Sequence, residues 1–298
     1  MQHARFHLFV IIALVTVAVS AQAVEPSASQ ESGAASRLER IRQTGTLVLA
    51  YRENAVPFSY LHQGQPVGFG VDIAKAVADD LREYLGLPRL NIRWNAVTLS
   101  TRIPLMTTNT VDMECATTTH TRSRADQVSF SHTFYVSEEG VATRITDTPA
   151  SQTGKTAVVE STTTASRLSA EGKDMLAVRS YRNGMLALLQ GQADAFVGDM
   201  PMLASERLQL GEAGRTIALN ATGNAVPEAY ACMLPLGDTA FVAQVNKTLE
   251  RLMRDGEMLR LHDRWFIQPI PPGNRALNLP LNKATREAYA TPNSTPFE

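Results

Sequence analysis

The sequence predicts an α/β protein with two lobes, and three observations support this fold class. Short apolar runs alternate with amphipathic helical stretches from residue 46 to residue 115. A second alternation of the same kind begins at Lys155, and one more apolar run, 228–234, follows it. Such alternation is typical of mainly parallel sheets covered by helices. The second lobe would be inserted into the first, so that two segments cross between them and can act as a hinge.

The first lobe is predicted from apolar residues that recur at helical or strand spacing. Ser36 is expected to cap a helix that extends to Arg42, and a second helix covers 71–85, where Val71, Ile73, Val77 and Leu81 share one face. The other elements predicted for this part are strands over 46–50, 90–97 and 111–115, and a short helix capped by Ser100.

The second lobe and the return of the chain are predicted in the same way. A single extended segment covers 130–143 and leads towards the second lobe, in which Asn183 is expected to cap a helix. Asp238 is expected to cap a long helix, and Pro271–Gly273 to end the regular structure. The elements predicted between these points are strands over 156–160, 175–178, 192–199, 216–219 and 228–234, and helices over 161–168 and 200–210.

The N-terminal residues predict export from the cytoplasm. The apolar run 8–19 follows Arg5 and precedes Ala21-Gln22-Ala23, which is the pattern of a secretory signal peptide cleaved after Ala23. No cysteine stands at the cleavage point, so no lipid anchor is expected. The predicted organisation is a signal peptide over 1–23, a flexible leader over 24–35, a first lobe over 36–132 and 229–298, and a second lobe over 133–228.

Composition excludes some function classes. The 298 residues carry a formal net charge of −1, which argues against a nucleic-acid-binding protein and against a basic membrane-surface protein. The chain has two cysteines, Cys115 and Cys232. In an oxidising compartment they can form a disulfide, although two buried free thiols remain an alternative at this point.

Polar and basic residues follow three predicted strands of the first lobe. Arg52 follows the first strand, Ser100 and Arg102 follow the next, and the stretch 117–124 follows the third. Ligands of parallel sheets bind at the carboxyl ends of strands, and guanidinium groups suit carboxylates. These residues therefore predict an anion site, against the simpler interpretation of a threonine-rich turn with solvated arginines.

No motif predicts a metal, a cofactor or a phosphate-binding loop. His62, His120 and His132 lack the spacing of metal ligands. The sequence contains no glycine-rich phosphate loop, nucleophile elbow or paired-carboxylate motif. No cofactor is therefore expected.

Several segments together resemble the glutamate/aspartate periplasmic binding proteins, which belong to the polar amino-acid solute-binding proteins of ABC importers. The matching segments occur in the same order over most of the chain. They are Val56-Pro57-Phe58-Ser59-Tyr60, Arg102-Ile103-Pro104-Leu105, Asp112-x-Glu114-Cys115-x-Thr117-Thr118-Thr119, Phe130-Ser131, Asp199, Glu228-x-Tyr230-x-Cys232-Met233-Leu234 and Trp265-Phe266.

The resemblance implies a type II periplasmic-binding-protein fold that closes around one amino acid, and a membrane ABC permease as partner of a monomeric receptor. It implies that Arg124 binds the ligand's α-carboxylate with help from Thr117 and Thr119, and that Asp199 binds the ammonium group. Arg52 and Arg102 would face the side-chain carboxylate of an acidic ligand. The second-lobe residues implied to add hydrogen bonds are Thr162, Thr163 and Thr164.

Two departures from the family pattern lie at the side-chain end of the ligand. Tyr181 replaces a histidine, and Leu99 replaces a serine, with Ser100 beside it. A receptor for another polar amino acid is therefore an alternative. An enzyme on the same scaffold, similar to cyclohexadienyl or arogenate dehydratases, is a second alternative, with Glu53, Glu114 and Glu160 as candidate acids.

Overall fold

The computed structural model describes residues 36–145, 153–223 and 227–296. The predicted signal peptide and leader lie outside these residues. Within them, no helix has both the length and the apolar character needed to cross a membrane.

Strands and helices alternate along the described chain, in the order that the sequence indicates. The strands are β1 (Thr46–Tyr51), β2 (Asn54–Ala55), β3 (Ser59–His62), β4 (Gln65–Val67), β5 (Asn91–Ala96), β6 (Met113–Glu114), β7 (Ser129–Ser137), β8 (Glu139–Arg144), β9 (Thr156–Val159), β10 (Met175–Val178), β11 (Ala195–Asp199), β12 (Ile217–Ala221) and β13 (Glu228–Leu234). The α-helices are α1 (Arg37–Thr44), α2 (Phe69–Tyr84), α3 (Arg102–Thr107), α4 (Arg122–Ala125), α5 (Thr163–Ala170), α6 (Tyr181–Leu189), α7 (Met200–Gln209), α8 (Thr239–Arg254), α9 (Glu257–His262) and α10 (Lys283–Ala290).

Two five-stranded sheets define the two lobes. The first lobe is built on the sheet β5-β1-β6-β13-β7, in which β1 runs parallel to β5 and β6. The second lobe is built on the sheet β10-β9-β11-β8-β12, in which β9 runs parallel to β10 and β11. The predicted α/β class with two lobes is therefore confirmed.

The two sheets differ in the apolar cores that support them. In the first lobe, α2 and α8 bury their apolar faces beside an aromatic cluster in which Phe58 makes edge-on contacts with Phe69, Tyr135 and Phe266. The second lobe has a smaller core around Phe196, formed by α6, α7 and the inner strands. Burial of such faces provides most of the stability of each lobe.

The chain passes between the lobes through two adjacent segments. The predicted extended segment 130–143 is two strands, β7 in the first sheet and β8 in the second, separated at Glu138. The returning strand β13 begins beside the end of β7, where Glu228 pairs with Ser137. A hinge at this pair of segments, and the lobe boundaries given above, remain predictions.

The two cysteines form a disulfide, as the sequence analysis expected. Cys115 follows β6, Cys232 lies in β13, and their sulfur atoms are 2.04 Å apart. Both residues belong to the first sheet region, so the bond ties the return strand to the threonine-rich turn that follows β6.

Three predictions about helices are wrong. Ser100 does not cap α3, because Thr101 occupies the capping position directly before that helix. The helix expected to begin at Asn183 begins at Tyr181, because the Ser180 hydroxyl accepts a hydrogen bond from the Asn183 backbone amide and takes the capping position. Regular structure also continues after Gly273. Asn282 caps α10, which packs against β7 at the outer edge of the first sheet and covers that edge.

Candidate ligand-binding cleft

A cleft lies between the carboxyl ends of the parallel strands of both sheets. Arg52 follows β1 and Thr117 follows β6, on the first-lobe side. Thr162 follows β9, Tyr181 follows β10 and Asp199 ends β11, on the second-lobe side. The cleft has a volume of about 560 Å³ including its solvent-filled opening. This is the position at which sheets of this type bind ligands.

Most of the residues singled out from the sequence line this cleft. From the first lobe these are Arg52, Arg102, Thr117, Thr119 and Arg124, and from the second lobe Thr162, Thr163, Tyr181 and Asp199. Ser100 and Thr164 do not line it. Ser100 is exposed and its hydroxyl lies 3.1 Å from that of Thr98, whereas Thr164 is buried in α5.

Three guanidinium groups dominate the first-lobe wall. Arg102 is only 2% exposed, and its Nη1 donates a hydrogen bond to the Thr117 carbonyl at 3.2 Å. Arg124 donates to the Thr119 carbonyl at 3.0 Å, while Arg52 is held through its backbone amide, which donates to Ser59 Oγ. Among the described residues, none of the three forms a salt bridge with a carboxylate.

The charges on this wall are incompletely compensated. Burial and the nearby charge of Arg102 together lower the pKa of Arg52 to about 10. Burial and Arg102 act in the same direction on Arg124, whose pKa is also lowered to about 10. Glu228 opposes this effect on Arg124, and Glu114 opposes it on both arginines, but only in part. The Oε2 atom of Glu114 accepts a hydrogen bond from Thr118 at 2.6 Å, and this carboxylate is fully buried. An anionic ligand would complete the compensation.

The threonine-rich turn is held in place by the return strand. Two backbone hydrogen bonds join the turn to β13. The His120 amide donates to the Ala229 carbonyl at 2.8 Å, and the Ala231 amide donates to the Thr118 carbonyl at 3.2 Å. Thr121 then caps α4 by accepting from the Arg124 amide. The turn is therefore a fixed part of the wall, unlike a solvated loop.

Asp199 is the principal carboxylate of the second-lobe wall. It occupies the capping position directly before α7, but its side chain makes no capping hydrogen bond to that helix. Its Oδ2 accepts a hydrogen bond from the Tyr181 hydroxyl at 3.0 Å. Burial and the negative charge of Glu228 together raise the pKa of Asp199 to about 7.

Tyr181 is oriented towards Asp199. Its hydroxyl also accepts a hydrogen bond from the Asp199 backbone amide at 2.9 Å. A Cβ at position 198 would lie 2.9 Å from the Tyr181 ring, so Gly198 is required for this approach. The single hydroxyl proton is therefore used within the protein. Leu99 lines the cleft and packs against the second-lobe core.

The second-lobe threonines Thr162 and Thr163 form different hydrogen bonds. Thr162 caps α5 by accepting from the Ala165 amide at 3.1 Å, and donates to the Val159 carbonyl at 2.7 Å. Thr163 donates its hydroxyl proton to Glu228 Oε1.

Glu228 is a cleft residue that the sequence analysis did not assign to the site. Its other oxygen, Oε2, accepts the Thr119 hydroxyl at 2.6 Å. The available signal was a carboxylate at the start of the return strand, within a segment already recognised as part of the family pattern. At the cleft edge, Arg182 and Glu206 are also present, with 3.9 Å between their charged atoms. Among the described residues, no group of acidic, histidine or cysteine side chains is arranged to bind a metal.

Comparison with known proteins identifies the family. Residues 47–268 match the bacterial extracellular solute-binding proteins, family 3. The chain is 32% identical over 271 residues to the L-glutamate/L-aspartate-binding protein of Pseudomonas aeruginosa, covering 86% of this chain and 88% of that protein. It is 31% identical over 295 residues to the glutamate/aspartate import solute-binding protein of Escherichia coli, covering 95% of both. A crystal structure of a mutant ArgBP from T. maritima superimposes with a TM-score of 0.66 at 23% identity, over 76% of this chain and 98% of that one. The chain therefore belongs to family 3 of the bacterial extracellular solute-binding proteins and has their two-lobed fold.

Proposed function

We propose that this protein is a periplasmic receptor that binds glutamate or aspartate in the cleft and delivers it to a membrane ABC permease. The observation that carries the proposal is a set of three arginines, Arg52 and Arg102 buried and Arg124 half-buried, that form no salt bridge within the described residues and face Asp199 across the cleft. The names of the Pseudomonas and Escherichia relatives support the same ligand class.

The charges of the cleft match those of an acidic amino acid. Such a ligand carries two carboxylates and one ammonium group, and needs two anion sites and one cation site. Arg124 would bind the α-carboxylate, and Arg52 and Arg102 the side-chain carboxylate, through paired hydrogen bonds that guanidinium groups make well. Asp199 would accept from the ammonium group.

Ligand binding would favour a closed arrangement of the lobes. The arginines belong to the first lobe and Asp199 to the second, so one ligand can contact both only when the cleft is closed. A ligand shifts a conformational equilibrium by its difference in affinity for the two states. A permease could then distinguish the loaded receptor from the empty one by its shape.

The side-chain end of the ligand would be bound mainly by arginines. Tyr181 uses its hydroxyl proton on Asp199, and Leu99 has no polar group to offer. Glutamate and aspartate differ by one methylene group at this end, where a binding site commonly discriminates by only about 1–3 kcal/mol. Another polar amino acid remains the alternative ligand.

Export and oligomeric state complete the proposal. The signal-peptide pattern of residues 1–23 supports a periplasmic location. The receptor would act as a monomer and without a cofactor, because the cleft is formed by the two lobes of one chain.

An enzyme of the cyclohexadienyl dehydratase type is the second candidate. The observation that favours it is the Asp199 carboxyl group, which lines the cleft and has a pKa raised by burial and by Glu228, because such acids can act as general acids. The acids considered from the sequence do not support it. Glu53 and Glu160 are exposed, Glu114 is fully buried, and none of them lines the cleft.

A ligand screen tests the proposal. The purified mature protein is heated with each of the twenty amino acids and with dicarboxylates, and hits are measured by titration calorimetry. We expect L-glutamate and L-aspartate to raise the melting temperature and to bind one molecule per chain. Binding of neither at millimolar concentration would contradict the proposal. Turnover of prephenate or arogenate by the same preparation would favour the enzyme instead.

A further inference from the structure

Glu228 connects the two walls of the cleft through a single carboxylate. Its Oε2 accepts the hydroxyl proton of Thr119, from the first-lobe turn, at 2.6 Å. Its Oε1 accepts the hydroxyl proton of Thr163, from the first turn of α5 in the second lobe. Glu228 itself begins β13, one of the two segments that cross between the lobes.

Glu228 lines the same cleft as Arg124 and Asp199, the groups expected to bind the two ends of an amino-acid backbone. Its negative charge acts on both of them. Glu228 and Asp199 are therefore two interacting carboxylates that line one cleft. Close carboxylates in a partly desolvated site repel each other, and a cation between them removes the repulsion.

The two threonines also become acceptors at this position. Each hydroxyl has one proton, and both protons are donated to Glu228. Thr119 and Thr163 therefore have only lone pairs left for a ligand, which suits an N–H donor. The resemblance had implied that Thr119 donates to the α-carboxylate. The hydrogen bonds in the structure favour an ammonium group as its partner.

We propose that Glu228 is a specificity-determining residue, which completes with Asp199 an ammonium site and so selects amino acids against dicarboxylates that lack the amino group. This inference rests on the proposed function and concerns the part of the cleft that would bind the α-ammonium group. The three arginines alone would bind any dicarboxylate of suitable length. Glu228 and Asp199 make such a ligand unfavourable, because its negative charges would approach a carboxylate pair with no cation between them.

The test compares pairs of ligands that differ only in the amino group. Calorimetry measures L-glutamate against glutarate and L-aspartate against succinate, on the wild-type protein and on Glu228→Gln. We expect the wild-type protein to prefer each amino acid over its partner by at least 100-fold. In Glu228→Gln this preference should fall at least tenfold, mainly through weaker amino-acid binding.

Two further variants separate charge from structure. Glu138→Gln removes an exposed carboxylate from the neighbouring crossing segment, outside the cleft wall, and should leave the preference unchanged. Glu228→Asp keeps the negative charge while shortening the side chain, and should keep most of the preference even where overall affinity falls. It also serves if the glutamine variant does not fold.

The outcomes distinguish this inference from the proposed function. Equal weakening of both ligands in Glu228→Gln, with the preference unchanged, would show that Glu228 only holds the lobes together and would overturn the inference. Loss of the preference in Glu228→Asp equal to that in Glu228→Gln would overturn it as well. Absence of amino-acid binding by the wild-type protein would refute the proposed function, and this inference with it.

Discussion

The two walls of the cleft carry charges of opposite sign, and each charge is only partly compensated. On the first-lobe wall, burial and mutual repulsion lower the pKa values of Arg52 and Arg124 to about 10. On the second-lobe wall, burial and Glu228 raise the pKa of Asp199 to about 7. The charged state is thus disfavoured on both sides. A zwitterion with an additional carboxylate would relieve both walls at once, which explains why such a ligand should favour closure.

The walls also differ in how rigidly they are held. The first-lobe turn is tied to β13 by backbone hydrogen bonds and by the Cys115–Cys232 disulfide. On the second-lobe wall, Tyr181 and Asp199 are fixed by side-chain hydrogen bonds and by the close approach at Gly198. We therefore expect the first lobe to present a preformed anion site, which the second lobe completes.

Removal of Arg124 from the first-lobe wall is expected to have the largest effect on ligand affinity. We expect Arg124→Ala to weaken every amino-acid ligand by at least 100-fold, because loss of a buried charged hydrogen-bond partner commonly costs about 3–5 kcal/mol. Calorimetry with L-glutamate and L-aspartate measures the effect. The matched control is Arg122→Ala, an exposed residue of the same helix outside the cleft wall, which should retain affinity. Unchanged L-glutamate affinity in Arg124→Ala would refute its assigned role.

Loss of the disulfide should affect stability more than binding. The bond closes a loop with a sequence separation of 117, which contains the whole second lobe. We expect the double variant Cys115→Ser, Cys232→Ser to lose about 2–5 kcal/mol of unfolding free energy. Denaturant unfolding measures this, and calorimetry below the transition should give an affinity within about threefold of the wild-type value. An unchanged unfolding free energy would contradict the expectation that the disulfide supports the first-lobe wall.

Substitution of Arg52 or Arg102 should distinguish acidic ligands from neutral ones. We expect Arg52→Ala and Arg102→Ala to weaken L-glutamate and L-aspartate about 10- to 100-fold, corresponding to about 1.5–3 kcal/mol for hydrogen bonds to a charged group. A neutral ligand such as L-glutamine should lose less, because it has no side-chain carboxylate. Melting temperatures of both variants control for folding, since Arg102 is almost fully buried. Equal losses of affinity for acidic and neutral ligands would contradict the assignment of these arginines to the side-chain carboxylate.

The pH dependence of binding probes the second-lobe wall. Asp199 is faced by the negative charges of Glu228 and Glu139, by the hydroxyl groups of Tyr230 and Tyr181, and by Arg124. Its pKa of about 7 means that the empty protein holds a proton on this carboxyl group below about pH 7. An ammonium ligand requires the ionised form, so binding should release a proton. We expect affinity to fall about five- to tenfold from pH 7.5 to pH 6.

The same shift has a defined sign for stability. Because the folded-state pKa exceeds the usual aspartate value of 3.8, this group stabilises the empty protein most below about pH 4. That contribution is lost as the pH rises to about 7. Asp199→Asn should flatten both profiles. Titrations in buffers of different ionisation enthalpy count the released protons, and a pH-independent wild-type affinity would contradict the assignment.

The sequence was informative wherever a local pattern has only one structural solution. Parallel strands place their carboxyl ends at one edge, so Arg52, Arg102 and Arg124 could be assigned to one site before any contact was visible. Asp199 was found in the same way. The disulfide was expected from two cysteines in an exported chain, although their proximity could not be derived.

Features that depend on competing partners were missed. The spacing around residue 183 allows either Ser180 or Asn183 to cap a helix. In the structure Ser180 has an extended backbone after β10, and its side chain caps α6. The polar C-terminal residues gave no indication of α10, which depends on the exposed edge of β7 for its packing. Ser100 does not line the cleft, and its hydroxyl lies within hydrogen-bond distance of the Thr98 hydroxyl in the turn before α3.

By itself, the sequence determined the alternation of strands and helices, the positions of the arginines at strand ends and the family pattern, because these follow from local periodicity and order along the chain. Only the tertiary structure decided which polar atoms meet. Tyr181 bonds to Asp199, and Glu228 joins Thr119 to Thr163, residues that are 44 positions apart along the chain and belong to different lobes. A hydroxyl proton has one acceptor at a time, and the fold selects it through distance and burial, which no local pattern encodes.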